Sequence, residues 1–451
     1  MIPQKGKASR YQLDCYASGD SVSSRLFEAA RSLIPGGTSR QFYTFQPNPI
    51  FAKAGDGCWV TDVDGDRRID CLNNMSALIH GHAFPDVVAA IHDRVAKGFC
   101  FSEPCETELE LAKMLVERVP SVEKVHFRSS GTEAVMMAAK LCRAFTGRNK
   151  VAKFEGSYHG YYDHVQMSVA PSPKHWGSAH APSAVPSSAG LSSNTADEVV
   201  VLPNNDPESI ERILESQGSE LAMLLVEPLA NRSGMSKPTP GFYRFLREIT
   251  SQYGILLVFD EIITFRLGIA GAQGRFDGSP DLTTFGKVIG GGLPIGALGG
   301  RGDVMDLLDP TTTKDYVVSG GTYSGNPLSI AAGIATLNRL TQTEFDFLDE
   351  LGTALRSGVN GILKRSGLDA QMTGEGSLFQ IIPGTQTVSS YRDVPTGERA
   401  DELMRQLHTG LLHNGVIVAR RGFGCLSTAM DLEIIGEVLS AFEKAVAAVR
   451  L

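Results

Sequence analysis

The stretch Asp281-Leu-Thr-Thr-Phe-Gly-Lys287-Val-Ile-Gly-Gly-Gly-Leu-Pro-Ile-Gly296 places one lysine among small and apolar residues, just before a run of glycines. Burial in such surroundings removes water from an ammonium group, so the pKa of the lysine falls and a neutral amine can attack an aldehyde. A phosphate-binding loop is excluded, because that motif needs glycine at Asp281 and Ser or Thr at Val288. The stretch predicts Schiff-base chemistry at Lys287, unless the lysine is an ordinary surface residue before a flexible loop.

A second stretch upstream, Gly254-Ile-Leu-Leu-Val-Phe-Asp260-Glu261, is a continuous apolar run that ends in two carboxylates. Such a run predicts a parallel strand buried on both faces, and the carboxyl ends of these strands are where α/β sheets bind ligands. A carboxylate at that position can keep a pyridine nitrogen protonated, which makes the ring of pyridoxal phosphate (PLP) an electron sink. Taken alone, Asp260 is more often an aspartate that caps the next turn.

Length and composition restrict the class of protein. The 451 residues are 42% hydrophobic and 20% charged, which is ordinary for an enzyme-sized protein of two or three domains. The net charge of −8, without a long basic run, argues against nucleic acid or membrane partners and favours small molecules. No stretch approaches the roughly 18 apolar residues of a membrane span, and no apolar segment follows residues 1–10, so we expect a cytoplasmic protein.

Neither disulfides nor a metal site is predicted. The seven cysteines are scattered and include no Cys-x-x-Cys pair. Asp62, Asp64 and Asp66 are spaced as in a calcium loop, but Gly65 is misplaced and Asn73 stands where that loop needs glutamate. We therefore predict that these aspartates bind no calcium.

The hydrophobic pattern divides the chain into three parts. Residues 1–74 contain a helical pattern at 21–34 and two strands around an Asp-Gly turn at 57–71. Residues 75–330 alternate helices with short apolar strands, which predicts an α/β domain with a mostly parallel sheet. Residues 331–451 predict a smaller domain that ends in an amphipathic helix opened by Asp431. The strands expected in the large domain are 124–128, 151–154, 199–202, 221–226 and 255–259.

One long segment of the large domain has no periodicity. Residues 168–197 are rich in Ser, Pro, Ala and Gly and are unusually long for a loop in a compact domain. Both a lid over a site and a passive loop fit this composition.

Two further stretches suggest contacts to an anionic, planar ligand. Residues 127–143 predict a strand, a small-residue turn and a helix, so that backbone N–H groups and the hydroxyls of Ser130 and Thr132 form a phosphate cup. Ser and Thr also cap ordinary helices. In Gly156-Ser-Tyr158-His-Gly160, the flanking glycines allow the tyrosine to lie flat on a ligand ring, although a loop tyrosine packed on the core is the alternative.

Taken together, these motifs resemble the class III PLP-dependent aminotransferases of fold type I, in order and spacing over nearly the whole chain. That resemblance implies a large domain with a seven-stranded, mostly parallel sheet flanked by helices, plus a smaller α+β domain built from the N- and C-terminal segments. The six matching motifs are Ser-Ser-Gly-Thr-Glu-Ala at 129–134, Tyr-His-Gly at 158–160, Val-Glu-Pro at 226–228, Phe-Asp-Glu-Ile at 259–262, Phe-Gly-Lys-Val-Ile-Gly-Gly-Gly at 285–292 and Gly-Thr-Tyr-Ser-Gly-Asn-Pro at 321–327.

The resemblance also implies roles for single residues. Lys287 would form the internal aldimine, Asp260 would pair with the pyridinium nitrogen, and Thr322 would reach the phosphate bound in the neighbouring subunit of a homodimer with shared active sites. The other implied cofactor-binding residues are Gly131 and Thr132 at the phosphate, Tyr158 and Ile262 on the two faces of the ring, and Ser130, His159 and Glu227.

The substrate end of the site distinguishes two branches of the family. Glutamate-1-semialdehyde 2,1-aminomutases typically continue Pro-Gly-Gly with Val-Asn-Ser-Pro-Val-Arg, whereas this chain has Pro35-Gly-Gly-Thr-Ser-Arg40-Gln, as in β-amino-acid aminotransferases. Met75 stands near the position of the aminomutase tryptophan, and Arg421 lies in a segment similar to an arginine-bearing loop of the second branch. Because arginine binds carboxylates through two parallel hydrogen bonds, Arg40 and Arg421 are predicted to bind the substrate, together with Met75.

We therefore expect an enzyme that transfers an amino group between a β- or ω-amino acid and a keto acid, with PLP alternating with pyridoxamine phosphate (PMP). The alternative is an aminomutase that returns the nitrogen to the adjacent carbon of the same substrate. Both reactions need Lys287 and Asp260 and differ in whether the intermediate stays enclosed. A protein that binds PLP without turnover is disfavoured, because Lys287, Asp260 and Tyr158 are all present.

Overall fold

A computed structural model describes residues 20–43, 47–312 and 314–450. Residues 1–19 lie outside the described residues. They include Cys15 and the first ten residues, after which no apolar targeting segment is expected. The strands are β1 (Ala52–Asp56), β2 (Trp59–Asp62), β3 (Arg67–Asp70), β4 (Lys124–Arg128), β5 (Lys150–Phe154), β6 (Gly177–Ser178), β7 (Ala181–Pro182), β8 (Val199–Leu202), β9 (Leu221–Val226), β10 (Leu256–Asp260), β11 (Leu282–Gly286), β12 (Gly296–Gly300), β13 (Ala370–Glu375), β14 (Leu378–Pro383), β15 (Val416–Ile417) and β16 (Phe423–Cys425).

The helices alternate with these strands in the middle of the chain. They are α1 (Val22–Arg31), α2 (Asn73–Ser76), α3 (Pro85–Ala96), α4 (Glu106–Arg118), α5 (Gly131–Thr146), α6 (Pro207–Gln217), α7 (Phe242–Tyr253), α8 (Gly271–Arg275), α9 (Gly302–Met305), α10 (Pro327–Asn338), α11 (Gln342–Ser366), α12 (Glu398–His413) and α13 (Leu432–Ala447). None of the helices within the described residues combines the length and the apolar character needed to span a bilayer.

A seven-stranded sheet with the order β4-β12-β11-β10-β9-β5-β8 forms the centre of the fold. All its strands run parallel except β12, which is antiparallel to both neighbours. Every residue of β9, β10 and β11 is buried, because helices cover both faces of the sheet. The predicted fold class is confirmed, and the five predicted strands lie within one residue of their expected bounds.

The small residues of β12 let the start of α5 approach the sheet. A side chain at Gly296 would collide with the carbonyl oxygen of Ser130, the residue that caps α5. The helix therefore begins directly against β12 and points its N-terminus along the carboxyl edge of the parallel strands.

A second sheet joins the two ends of the chain. Strands β1, β2 and β3 form an antiparallel unit, and β15 pairs with β3 in parallel. Asp62 organises the turn before β3, because its carboxylate accepts the N–H groups of Asp64 and Asp66 and pairs with buried Arg68. The N- and C-terminal segments thus share a sheet, while the boundaries at residues 74 and 330 stay a prediction.

The C-terminal residues build a third sheet, β13-β14-β16, against which α11 and α12 pack. As predicted from the sequence, Asp431 opens the last helix, and its side chain accepts the N–H of Ile434 at 2.8 Å.

The aperiodic segment 168–197 is tied to this C-terminal part. Arg392 donates hydrogen bonds to the backbone carbonyls of Trp176, Gly177 and Ser178 and forms an ion pair with Glu155 at 2.7 Å. No residue of the segment lines the candidate site described below.

Candidate active site

A cavity of about 390 Å³ opens at the carboxyl edge of the central sheet. It brings together the ends of β4, β9, β10 and β11, the start of α5 and several loop segments from elsewhere in the chain. Its lining residues are Arg40, Asn74, Ala77, Ser129, Ser130, Gly131, Thr132, Tyr158, His159, Gly160, Glu227, Asp260, Ile262, Ile263, Lys287, Gly292, Leu293, Pro294 and Ile295.

Lys287 follows β11 directly and lies in the cavity wall. Burial lowers the pKa of its amine to about 8; the charges of Asp260 and Glu227 act against this shift, and that of Arg421 adds to it. The predicted direction of this shift is confirmed, and at this pKa about a tenth of the amine is neutral at pH 7. The lysine also has a φ of +50°, a left-handed conformation that is strained for a residue with a side chain.

The two adjacent carboxylates at the end of β10 have separate roles. Asp260 faces the cavity and is fixed by the ring nitrogen Nδ1 of His159 at 2.7 Å and by the Thr284 hydroxyl at 3.1 Å. Glu261 points to the other side of the strand, where it accepts the backbone N–H groups of Ala272 and Gln273. The alternation of a strand therefore selects Asp260 for the site.

The start of α5 forms the anion-binding end of the cavity. Ser130 caps the helix by accepting the N–H of Glu133, and the first turn of any helix leaves N–H groups without intrahelical partners. At Gly131 an added side chain would lie 2.5 Å from Ile262, and at Gly160 it would collide with the hydroxyl of Thr132. Glycine is therefore the residue that fits at both positions without displacing Ile262 or Thr132.

Tyr158 and Glu227 form another part of the cavity wall. Burial raises the pKa of Glu227, and its carboxylate accepts the amide N–H of Asn231 and, at 3.4 Å, the backbone N–H of Tyr158. Fully buried Lys153 braces the same loop by donating to the carbonyls of Ser157 and Met167 at 2.9 Å and 2.7 Å. The sequence did not indicate this role, because Lys153 occupies the position of an ordinary polar residue in the alternating pattern of β5.

The part of the cavity predicted to bind the substrate is built on unusual backbone. Asn73, Asn74, Met75 and Ser76 all have positive φ values between 48° and 72°, so α2 is a left-handed turn. This turn places Asn74 in the cavity, where its side-chain oxygen accepts a hydrogen bond from Arg40 Nη1 at 2.6 Å. Met75 does not line the cavity and packs against a neighbouring core cluster. Asn74, which the sequence did not single out, occupies the place expected for Met75.

Two other predicted residues lie outside the lining. Arg421 is close enough for its charge to act on Lys287, Glu227 and Tyr158, and burial lowers the pKa of its guanidinium to about 9. Thr322 is exposed in the turn before α10, as expected for a residue directed at a neighbouring subunit.

Sequence comparison identifies the family. The profile described as Aminotransferase class-III matches residues 43–445. The chain belongs to the class III aminotransferases. A glutamate-1-semialdehyde 2,1-aminomutase of Methanothermobacter thermautotrophicus is 39% identical over 425 residues, which cover 94% of this chain and 98% of that protein.

Solved structures of two other aminotransferases are also similar. An ω-transaminase from Sphaerobacter thermophilus has 41% identity and a TM-score of 0.93, with 96% of this chain and 99% of that chain covered. A β-phenylalanine aminotransferase from Variovorax paradoxus has 33% identity and a TM-score of 0.86, with 97% and 98% covered.

Enzymes of this class use PLP, and the cavity of this aminotransferase fits that cofactor. A buried amine of lowered pKa suits the aldehyde, and a fixed carboxylate suits the ring nitrogen. The glycine-lined start of α5 suits the phosphate. These three chemical features converge on one cavity that has the size of a small-molecule site.

Proposed function

We propose that this aminotransferase moves an amino group between a β- or ω-amino acid and a keto acid. The observation that carries the proposal is that Arg40, held by Asn74, lines the same cavity as Lys287. A guanidinium binds the carboxylate of a substrate, and a lysine in the same cavity acts where the amine of the substrate reacts. Together they indicate that the substrate is an amino acid. The names of the ω-transaminase and the β-phenylalanine aminotransferase described above support this choice.

The residues of the cavity divide the work of holding PLP. When bound, PLP withdraws electrons from the substrate carbon that bears nitrogen. The proposed binding residues are Ser130, Gly131 and Thr132 at the phosphate, Tyr158 and Ile262 on the ring faces, Asp260 at the ring nitrogen with His159 and Glu227 beside it, and Thr322 from the neighbouring subunit.

Lys287 is the proposed acid–base group. Because its pKa is about 8, its Nζ can take the proton from the substrate carbon that bears nitrogen and return it later in the cycle. Asp260 stays in place throughout, since His159 and Thr284 hold both of its carboxylate oxygens. The positions of both groups are set before the substrate arrives, which reduces the reorganisation that the reaction requires.

A single-turnover experiment tests the donor class. β-Phenylalanine is added to the PLP form of the enzyme without a keto acid, and the yellow absorbance of bound PLP is followed together with the product. We expect loss of the yellow band and release of one equivalent of keto product. An unchanged spectrum with β-amino acids would contradict the proposal.

The aminomutase reaction is the second candidate, because the relative from M. thermautotrophicus carries that name. The same enzyme is therefore mixed with glutamate-1-semialdehyde in the absence of any acceptor. Catalytic conversion to 5-aminolevulinate, with β-amino acids inert, would establish the isomerase and remove Arg40 from its proposed role.

A homodimer with shared active sites is part of the proposal. Thr322 is exposed, and large apolar side chains that include Val318 and Tyr323 are exposed beside it, as at an interface between subunits. Val318→Asp is expected to yield a monomer in analytical ultracentrifugation that binds PLP poorly. A fully active monomer would show that each subunit holds a complete site.

A further inference from the structure

The turn of residues 73–76 needs support from its surroundings. All four of its residues have φ values between 48° and 72°, and none of them is glycine. A left-handed conformation costs free energy at each residue that carries a side chain, so it persists only where neighbouring groups fix it. The groups that fix this turn therefore also determine what the turn presents to the cavity.

Asp70 fixes the start of the turn. It is the last residue of β3 and is buried, and its Oδ1 accepts the backbone N–H groups of Leu72 at 2.8 Å and of Asn73 at 2.9 Å. The side chain of Asn73 donates in return to the backbone carbonyl of Asp70 at 3.1 Å. An aspartate that accepts N–H groups two and three residues ahead shapes the turn that follows it. This carboxylate thus sets the direction in which the chain leaves β3.

His82 fixes the carboxylate of Asp70. The imidazole Nε2 of His82 lies 2.7 Å from Oδ2 of Asp70, so both carboxylate oxygens are engaged. The backbone of His82 exchanges two hydrogen bonds with Gly57, at 2.7 Å and 3.0 Å, and a side chain at Gly55 would collide with the imidazole. The imidazole is therefore held against β1, and Asp70 cannot rotate without losing one of its hydrogen bonds.

Arg266 fixes the other end of the turn. Its guanidinium is buried and donates to the carbonyl oxygen of Ser76 at 3.3 Å, to the hydroxyl of Ser377 at 2.9 Å and to the carbonyl oxygen of Leu426. All three acceptors are uncharged. Burial of a guanidinium is unfavourable unless its hydrogen bonds are made, and these bonds join the turn to two segments of the C-terminal part.

The fixed turn presents Asn74 to the cavity. The side-chain oxygen of Asn74 accepts a hydrogen bond from Nη1 of Arg40 at 2.6 Å, and both residues line the cavity together with Lys287. Arg40 is exposed and lies outside the helices and strands, so its long side chain loses conformational entropy when a ligand immobilises it. Asn74 reduces that loss, because it orients the guanidinium before the ligand arrives.

We propose that Asp70 and His82 are positioning residues for the substrate: they fix the turn 73–76 so that Asn74 directs Arg40 at a carboxylate in the cavity. Neither Asp70 nor His82 lines the cavity, so both act through Asn74. The proposal rests on the proposed function in assigning the substrate carboxylate to Arg40. It makes the affinity for carboxylates depend on a carboxylate–imidazole pair outside the cavity.

Calorimetry with unreactive ligands tests this inference. The holoenzyme is titrated with 3-phenylpropanoate and with its neutral analogue 3-phenylpropanamide. The measured quantity is the ratio of the amide dissociation constant to the carboxylate dissociation constant. Asp70→Ala should lower this ratio by about 5-fold or more, because Arg40 is no longer held. Loss of a negative charge would by itself favour the carboxylate and raise the ratio, so the expected change has the opposite sign.

Three comparisons separate positioning from a general loss of structure. Asp70→Asn keeps an oxygen that can accept the two N–H groups and should retain most of the ratio. Arg40→Gln should lower the ratio by about 10-fold or more, and Asp70→Ala added to it should lower the ratio no further, because the effect runs through Arg40. Asp431→Ala removes an aspartate that accepts a backbone N–H at the start of α13 and should leave the ratio unchanged.

Hydrogen exchange measured by mass spectrometry reports on the turn itself. A peptide that covers residues 71–78 should exchange faster in Asp70→Ala and in His82→Ala than in the wild type, because the N–H groups of the turn lose a fixed acceptor. Arg40→Gln should leave this exchange unchanged. His82→Ala should also lower the ligand ratio, so it decides the question if Asp70→Ala does not fold. The melting temperature and the PLP absorbance of each variant check that it is folded and loaded.

Each outcome is decisive. A ratio that is unchanged in Asp70→Ala and in His82→Ala, or equal losses of amide and carboxylate affinity, would overturn the inference. An unchanged ratio in Arg40→Gln would also overturn it, whichever amino acids react. If the ratio depends on Asp70 while β-amino acids give no half-reaction, the inference stands and the proposed donor class is wrong. If β-amino acids react and the ratio does not depend on Asp70, the proposed function stands alone.

Discussion

The two ends of the cavity are built in different ways. The end proposed to bind the cofactor consists of strand ends and a helix start beside one sheet: Asp260 is the last residue of β10, and Lys287 and Ser130 each lie one residue from a regular element. The substrate end consists of the left-handed turn 73–76 and of arginines from distant segments. Residues on regular elements are held in fixed positions and can keep a chemistry that many proteins share. Irregular segments can vary in sequence, and so alter which substrate binds, without moving those residues.

The largest expected effect is at the cofactor end. Lys287→Ala should lower kcat by about 10⁴-fold or more, because it removes both the nucleophile and the acid–base group. Stopped-flow absorbance with β-phenylalanine and steady-state assays measure the loss. Lys113→Ala, at an exposed lysine of α4, is the control, and equal losses in both variants would contradict the assignment.

The two carboxylates of β10 give the next test. Asp260→Asn keeps the shape of the side chain but removes the charge that faces the cavity, and we expect kcat to fall by about 10²- to 10³-fold. Glu261→Gln changes a group that accepts hydrogen bonds from the Thr264 hydroxyl and from the backbone of α8 and that does not line the cavity, so its kcat should stay within a few-fold. If Glu261→Gln were the more harmful change, the assignment of Asp260 to the site would be wrong.

Arg40 tests whether the substrate end is separate from the cofactor end. Arg40→Gln should raise the KM of the amino acid about 10- to 100-fold, since a charged hydrogen bond is lost. The absorbance of bound PLP should not change. Arg40→Lys keeps the charge but not the bidentate geometry and should recover only part of the affinity. A loss of PLP in Arg40→Gln would show that the two ends are coupled.

The pH dependence of the free energy of unfolding tests whether buried, neutral Lys153 supports the loop at the cofactor end. Burial lowers the pKa of Lys153 from 10.5 to about 7 in the folded protein. Between these values the unfolded chain binds more protons than the folded one, so the stability of the wild type rises with pH in this window. Relative to Lys153→Met, urea unfolding should show a gain on the order of 1–2 kcal/mol between about pH 7 and about pH 9. A constant difference would mean that Lys153 keeps its proton.

The smallest effect concerns the left-handed turn. Ser76 is buried, has a φ of 72° and has a hydroxyl without a partner among the described residues. Ser76→Gly should be more stable than Ser76→Ala by about 0.5–1 kcal/mol, because only glycine adopts this conformation without strain. Thermal unfolding of the two variants measures the difference. Equal stabilities would indicate that the turn relaxes when the hydroxyl is removed.

Much of the fold was readable from the sequence because its strands are unusual. Buried parallel strands are continuous apolar runs, and β9 and β10 stood out for that reason. Strand β12 was not anticipated, because Gly-Ala-Leu-Gly-Gly has no strand propensity of its own and pairs only because β4 and β11 flank it.

The sequence by itself singled out Lys287 and Asp260 as candidate reactive residues, since a lysine beside glycines and a carboxylate at the end of an apolar strand are recognisable from their neighbours in the chain. Only the tertiary structure decided that Asn74 rather than Met75 enters the cavity, and that Arg40 meets Asn74 there. The physical reason is that a left-handed turn reverses which side chains point inward, and that the meeting of two distant loops depends on the packing of everything between them.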